Sequence, residues 1–392
     1  MREPANGVTL ARLASELCAL DGHSQRRHLS IFCGIDLMSN DYLGLSRDPR
    51  LREAVLRSIA EGEAMASTGS RLLSGNARAW EELEEEFAAF AGAEAALFFS
   101  SGYAANLGLL GSLLRPEDLV FSDQSNHASL IDGIRLSRAR KIIFPHLDLD
   151  FLEQRLRESS GAPGEKFIVS ESIFSMEGDC APLNDLAALA AQYGAALIVD
   201  EAHSVGVSGP EGRGLLAEAG LSRFALATVF PCGKALASCG AFVACSAGLK
   251  QFLVNRARTF IFSTALPPYM AHQIRTSLAL VRAAGEERNR LRSVSAALRT
   301  GLQDAGLTTG SSNSQIIPVI LGSNEDTLEA AENLQRAGFA IRAIRPPTVP
   351  EGTARLRISM NANLPIEATG RIAEVLAATC ASARNASCGS RP

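Results

Sequence analysis

The stretch Phe230-Pro231-Cys232-Gly233-Lys234-Ala235-Leu236-Ala237-Ser238 sets a basic amine among glycine and small apolar residues, directly after the apolar run from Phe224. The chain has 392 residues, and its other lysines are Lys141, Lys166 and Lys250. Lys141 follows Arg138 and Arg140, Lys166 follows Gly164 and Glu165, and Lys250 lies on a polar turn. Those three read as solvated, and Lys234 does not. Burial depresses a lysine pKa toward the free amine. A free amine condenses with an aldehyde, so Lys234 is the candidate anchor for the aldehyde cofactor pyridoxal phosphate (PLP).

Working outward, Ala225 to Phe230 reads as the strand leading to Lys234, and Gly240 to Cys245 as a returning strand. Upstream, the apolar strand Ala195 to Val199 ends in Asp200-Glu201-Ala202-His203. Parallel α/β sheets bind ligands beyond the carboxyl ends of their strands. A carboxylate there can hold a protonated pyridine nitrogen and keep the ring an electron sink. A turn-capping aspartate is the plainer reading. It loses weight because a histidine lies three residues on and Lys234 lies 34 residues on. The strand Ala95 to Phe99 turns through Ser100-Ser101-Gly102-Tyr103 into a helix. Free amides at a helix start favour an anion, so this is a candidate phosphate cradle, although an ordinary serine-capped turn has the same pattern. His127, after the strand Asp118 to Phe121, can stack on an aromatic ring or cap the next element.

Strands alternate with helices from residue 95 to 245, which predicts an α/β fold with a mostly parallel sheet. We divide the chain into an N-terminal arm (1–45), a large domain (46–280) and a small C-terminal α/β domain (281–392). Amphipathic helices are expected over 9–20, with Leu10, Leu13 and Leu17 on one face, and over 49–61, with Leu51, Val55, Leu56 and Ile59. Arg26-Arg27 reads equally as a site for a substrate carboxylate or as a solvated basic turn. One strand is expected over 339–344, and a frayed tail over 382–392.

Hydrophobic residues make up 46% and charged residues 20%, enough for a large core. Net charge is −4 with no basic block, which argues against nucleic acid as a partner. No apolar run reaches about 18 residues, so no membrane span is expected. The eight cysteines show no metal-ligand spacing, so no metal is expected and the thiols read as reduced. The first residues lack a signal-peptide core, and a cytoplasmic location is expected.

The chain also carries Asn40-Asp41-Tyr42-Leu43-Gly44-Leu45, Thr68-Gly69-Ser70-Arg71, Ser101-Gly102-Tyr103-Ala104-Ala105-Asn106, His127-Ala128-Ser129 and Phe174-Ser175-Met176-Glu177-Gly178-Asp179. With Asp200-Glu201-Ala202-His203, Gly233-Lys234-Ala235 and the run Ala343 to Arg357, these resemble the α-oxoamine synthase family of fold-type I PLP-dependent enzymes. The likeness runs from about residue 36 to 380. It implies a seven-stranded, mostly parallel large-domain sheet and a homodimer. Lys234 is implied to hold PLP and remove the substrate α-proton. Asp200 pairs with the ring nitrogen, His203 bonds the ring oxygen and His127 stacks on its face. Ser101, Gly102 and Tyr103 hold the phosphate, helped by Ser263 or Thr264 from a second subunit. Arg357 grips the amino-acid carboxylate. Asn40 and Ser175 line the pocket, and Arg26 and Thr348 bind substrate.

The reaction implied is decarboxylative condensation of L-alanine with a pimeloyl thioester, carried on acyl-carrier protein or CoA. A glycine-using member of the family and a non-catalytic partner subunit are the alternatives, and Lys234 argues against the second. One position departs from the family pattern. Pro231 stands where a hydroxyl residue usually meets the phosphate, and it has neither hydroxyl nor amide hydrogen. Cys232 and Ser238 are the neighbours able to compensate.

Overall fold

The computed structural model describes residues 6–388, with side chains over 7–381. In chain order the strands are β1 (Ile35–Asp36), β2 (Ala95–Phe99), β3 (Leu119–Asp123), β4 (Arg140–Phe144), β5 (Lys166–Glu171), β6 (Ala195–Asp200), β7 (Ala227–Pro231), β8 (Ala241–Cys245), β9 (Ile316–Gly322), β10 (Phe339–Ala340), β11 (Ala343–Ile344) and β12 (Ala354–Ser359). Seven of them form one sheet in the order β2-β8-β7-β6-β5-β3-β4. Every pairing from β4 to β7 is parallel, while β8 runs antiparallel to both its neighbours.

Side chains alternate across a strand, and here both faces are covered. Val120, Val169 and Ile198 enter one apolar cluster, whereas Phe121, Ile168 and Leu197 enter the cluster on the other side. That is why these strands read as continuous apolar runs. A third cluster reaches from Leu37 through Trp80, Phe87 and Phe242 to Leu376. It joins the arm, the large sheet and the C-terminal unit in one core. Within it Phe87 stacks on Phe242 with centroids 3.9 Å apart, and Trp80 stacks on Phe98 at 4.4 Å. Each ring buried there stabilises the fold by about 1.5–3 kcal/mol.

The register of the parallel strands places the site. Glu171 at the end of β5 lies opposite Asp200 at the end of β6, and Asp200 lies opposite Val229 in β7. Lys234 follows three residues after β7. β9, β11 and β12 form a separate antiparallel sheet that presents Arg355 and Arg357 to the same end.

Three expectations are corrected. The strand foreseen over 339–344 is split: β10 pairs in parallel with β1, and β11 pairs antiparallel with β12. Leu56 is 58% exposed and lies off the buried face of the helix Pro49–Ala60. Five residues beyond Leu51 is 140° around the helix at 100° per residue, which turns Leu56 away. The final helix continues from Ile366 to Cys388 instead of fraying at 382, and residues 389–392 of that tail lie outside the described residues. In the first helix, Asn6–Gly22, Leu10, Leu13 and Leu17 are exposed in the single chain. Among the described residues no helix is long and apolar enough to cross a membrane.

Candidate active site

Lys234 lies in a tight turn that follows β7, where Cys232 N bonds to Gly240 O and Ala237 N to Lys234 O. Its Nζ sits 2.8 Å from His203 Nε2. Burial pushes the ammonium down to about 8; Asp200 and Glu171 oppose that shift, and Arg357 reinforces it. His203 is buried and held well below the usual imidazole range, first by burial and then by the charges of Lys234 and Arg357. Its other nitrogen, Nδ1, lies 2.6 Å from the Tyr42 hydroxyl. Tyr42 reaches Asn40 Oδ1 at 3.0 Å, and Asn40 Oδ1 also accepts from Arg357 at 3.1 Å. A continuous polar chain therefore links Lys234 to Arg357.

Asp200 is buried, and accepts from Asn106 Nδ2 at 2.7 Å and from the Ala202 amide at 2.9 Å. Glu171, its neighbour in the sheet, accepts from the backbone amide of His127 at 2.6 Å. Burial raises the Glu171 carboxyl, and the charge of Asp200 adds to the shift. His127 caps the helix Ala128–Ser137, and its Nδ1 lies 2.8 Å from Ser129 Oγ. The ring is thereby fixed while remaining exposed at the site. Burial lowers its pKa, Asp200 opposes the shift and Lys234 adds to it.

Ser101 caps the helix Gly102–Leu113 by accepting from the Ala104 amide at 3.0 Å. Among the described residues the amides of Gly102 and Tyr103 have no protein partner. A Cβ on Gly102 would come within 2.9 Å of the Pro231 ring, so Pro231 abuts this cradle directly. The Tyr103 hydroxyl is turned to Asp132.

Arg357 is buried on β12, where its Nε donates to Ser175 O. The loop from Ser175 to Asp179 is gripped from several sides. Arg355 reaches Met176 O and Glu177, while Asn313, Ser314 and Ser311 bond to Gly178 O and Asp179. Asp179 also meets His146, which bridges it to Asp123 at 2.8 Å.

Of the residues expected at the site, Lys234, Asp200, His203, Asn40, Ser175 and Arg357 lie in one network or beside it, and His127, Ser101, Gly102 and Tyr103 ring the same strand ends. Arg26 and Thr348 lie in a separate groove of about 450 Å³ with Arg27, Arg342 and Arg345, where Arg27 donates to Thr348 at 2.8 Å. Arg26 pairs with Asp21 at 2.6 Å. Ser263 and Thr264 are not brought to Lys234 of the same chain; they border a small cavity with Arg71, Trp80 and Ser100. Compensation for Pro231 by its neighbours is not supported. The Cys232 thiol is buried against Phe230 O at 3.8 Å, and the Ser238 hydroxyl is turned to Gln273.

Sequence reading assigned no role to Tyr42 or Glu171. The Glu171 signal was available, since it ends an apolar strand as Asp200 does. For Tyr42 the only signal is its place in the motif Asn40-Asp41-Tyr42-Leu43-Gly44-Leu45.

The donor set fits PLP: a desolvated amine, a buried carboxylate for a ring N–H, and two free amides at a helix start for a phosphate. No cluster suited to a metal ion occurs among the described residues. Fold and site together define a fold-type I PLP-dependent transferase. Residues 34–376 match the aminotransferase class I and II family. An 8-amino-7-oxononanoate synthase of Geobacter sulfurreducens is 45% identical over 328 residues, covering 83% of each chain. Among solved structures, a serine palmitoyltransferase of Sphingomonas wittichii matches with TM-score 0.87 at 29% identity, over 97% of this chain and 99% of that one. The 8-amino-7-oxononanoate synthase of Francisella tularensis matches with TM-score 0.77 at 29% identity, over 90% and 99%. The chain belongs to the aminotransferase class I and II family and, within it, to the family of the 8-amino-7-oxononanoate synthases.

Proposed function

We propose that this chain condenses L-alanine with a pimeloyl thioester, carried on acyl-carrier protein or CoA, giving 8-amino-7-oxononanoate, carbon dioxide and the free thiol. The observation that carries the reading is the chain from Lys234 through His203, Tyr42 and Asn40 to Arg357, which sets a desolvated amine at one end and a buried guanidinium at the other.

Lys234 would hold PLP and, as a free amine, would take the proton from alanine Cα. Bound PLP supplies the electron sink that makes this proton removable. Asp200 would hold the ring N–H and His203 the ring oxygen. His127 would pack against the ring. Ser101 and the amides of Gly102 and Tyr103 would hold the phosphate. Arg357 grips the alanine carboxylate beside Asn40 and Ser175. Alanine Cα then attacks the thioester carbonyl and the thiol leaves. Loss of carbon dioxide and return of a proton complete the product. The groove of Arg26, Arg27 and Thr348 receives the far carboxylate of the acyl chain. A second copy supplies Ser263 and Thr264, making the working form a homodimer, and the enzyme acts in the cytoplasm.

Incubation with PLP, L-alanine and each pimeloyl thioester, followed by mass detection of product and carbon dioxide, tests this. The wild type should form both. Lys234→Ala should form neither and should lack the lysine-bound absorbance band; a band that persists in that variant refutes the assignment.

A further inference from the structure

We infer that Tyr42 decides which ring nitrogen of His203 carries the proton, and reverses that choice when the cofactor joins Lys234. The inference rests on the PLP reading above.

A count of donors fixes the first state. Asn40 Oδ1 receives the Arg357 guanidinium at 3.1 Å and the Ser359 hydroxyl at 3.2 Å, so this atom is an acceptor. Tyr42 lies 3.0 Å from it and can bond to it only by donating. A phenol has one hydrogen, so toward His203 Nδ1, at 2.6 Å, Tyr42 can only accept. Nδ1 therefore carries the ring proton. Buried and neutral, His203 keeps a lone pair on Nε2, which receives Lys234 Nζ at 2.8 Å.

Once Lys234 is committed to the cofactor, Nε2 loses that donor and, on the PLP reading, would meet an acceptor in the ring oxygen. The ring must now present N–H at Nε2, and Nδ1 must accept. Tyr42 permits this by turning its hydrogen from Asn40 to Nδ1. Its oxygen then accepts no ring proton and lies in the field of Arg357, whose charge acts on the phenol. Asn40 Oδ1 keeps Arg357 and Ser359. The protons balance: the Lys234 ammonium gives one to Nε2, and the Nδ1 proton leaves to solvent. Condensation of the amine with the aldehyde expels one water. Phenylalanine at 42 supports neither state. Tyr42 is thus a positioning residue acting through His203.

Nitrogen NMR of the protein with ¹⁵N-labelled histidine tests this, with only six histidines to resolve and His203 assigned by its loss in His203→Gln. In the wild type, Nδ1 should be protonated without PLP and Nε2 with PLP. In Tyr42→Phe the ring should show mixed tautomers and no exchange. That variant should keep the lysine-bound absorbance band, while kcat falls about tenfold, the scale of one buried hydrogen bond. Its KM for alanine should change by less than about threefold, because Arg357 keeps its own bonds to Ser175, Asn40 and Ser359 when the phenol hydroxyl is removed. The same nitrogen protonated in both wild-type states, or wild-type spectra from Tyr42→Phe, would overturn the inference. Tyr42 is fully buried, so if the variant fails to fold, the two wild-type spectra decide. A wild type with no lysine-bound band would remove the PLP reading and the reversal with it. The cofactor-free spectrum still judges the tautomer choice separately.

Discussion

At Lys234 the governing quantity is the fraction of free amine. An exposed lysine titrates near 10.4, so at pH 8 it is almost wholly ammonium. Burial brings Lys234 down to about 8. The initial rate at which cofactor-free protein takes up PLP should therefore rise with pH and level off above about 8; a rate still climbing at pH 10 would show an ordinary lysine. Pro231 gives a second prediction at this scale. Its ring abuts Gly102, and neither Cys232 nor Ser238 turns toward the cradle. Pro231→Thr should lower the PLP dissociation constant about tenfold by adding one charge-assisted hydrogen bond. Equilibrium dialysis checks it, and an unchanged or weaker affinity would contradict it. Lys234, Asp200 and His203 were legible in the sequence because each stands just beyond an apolar strand. Tyr42 was not, because its role depends on a partner 161 positions away.

The loop from Ser175 to Asp179 is the element that holds the buried Arg357 guanidinium in place. Gly178 has φ +71, and a Cβ there would meet Ile316 O at 2.0 Å. Gly178→Ala must push the loop off β9 and carry with it the Ser175 carbonyl that holds Arg357. The expected result is a KM for alanine raised about tenfold and a fold destabilised by roughly 1–3 kcal/mol. Steady-state kinetics and urea unfolding measure both, and wild-type values would show that the loop is not coupled to Arg357. At this scale the strands of the large sheet were legible because two-sided burial leaves near-continuous apolar runs. The split of 339–344 was not legible. It depends on β1 offering an edge from 304 residues upstream, which no local pattern encodes.

For the whole molecule, His146 ties the large sheet to the C-terminal unit through Asp179 and Ser311. Burial alone would lower its pKa, but hydrogen bonds and charge from Asp123 and Asp179 push it up to about 10. An unfolded histidine titrates near 6.5. The ring's stabilisation is therefore full below about 6.5 and is lost as pH rises through about 10. His146→Gln should be less stable than wild type by about 3 kcal/mol at pH 6, with the gap closing toward pH 10. Urea unfolding across that range measures it, and a gap independent of pH would show that the ring is not charged. Composition made a large core legible, but not the fact that one cluster spans arm, sheet and C-terminal unit, since that depends on how the units dock. The account as a whole stands on a cofactor held by Lys234 and a pocket that takes alanine. Its most direct test is the absorbance spectrum of the protein loaded with PLP, recorded before and after adding L-alanine and, separately, glycine. The account predicts a lysine-bound band that changes with alanine and hardly with glycine. A response to glycine alone, or no band at all, would contradict it.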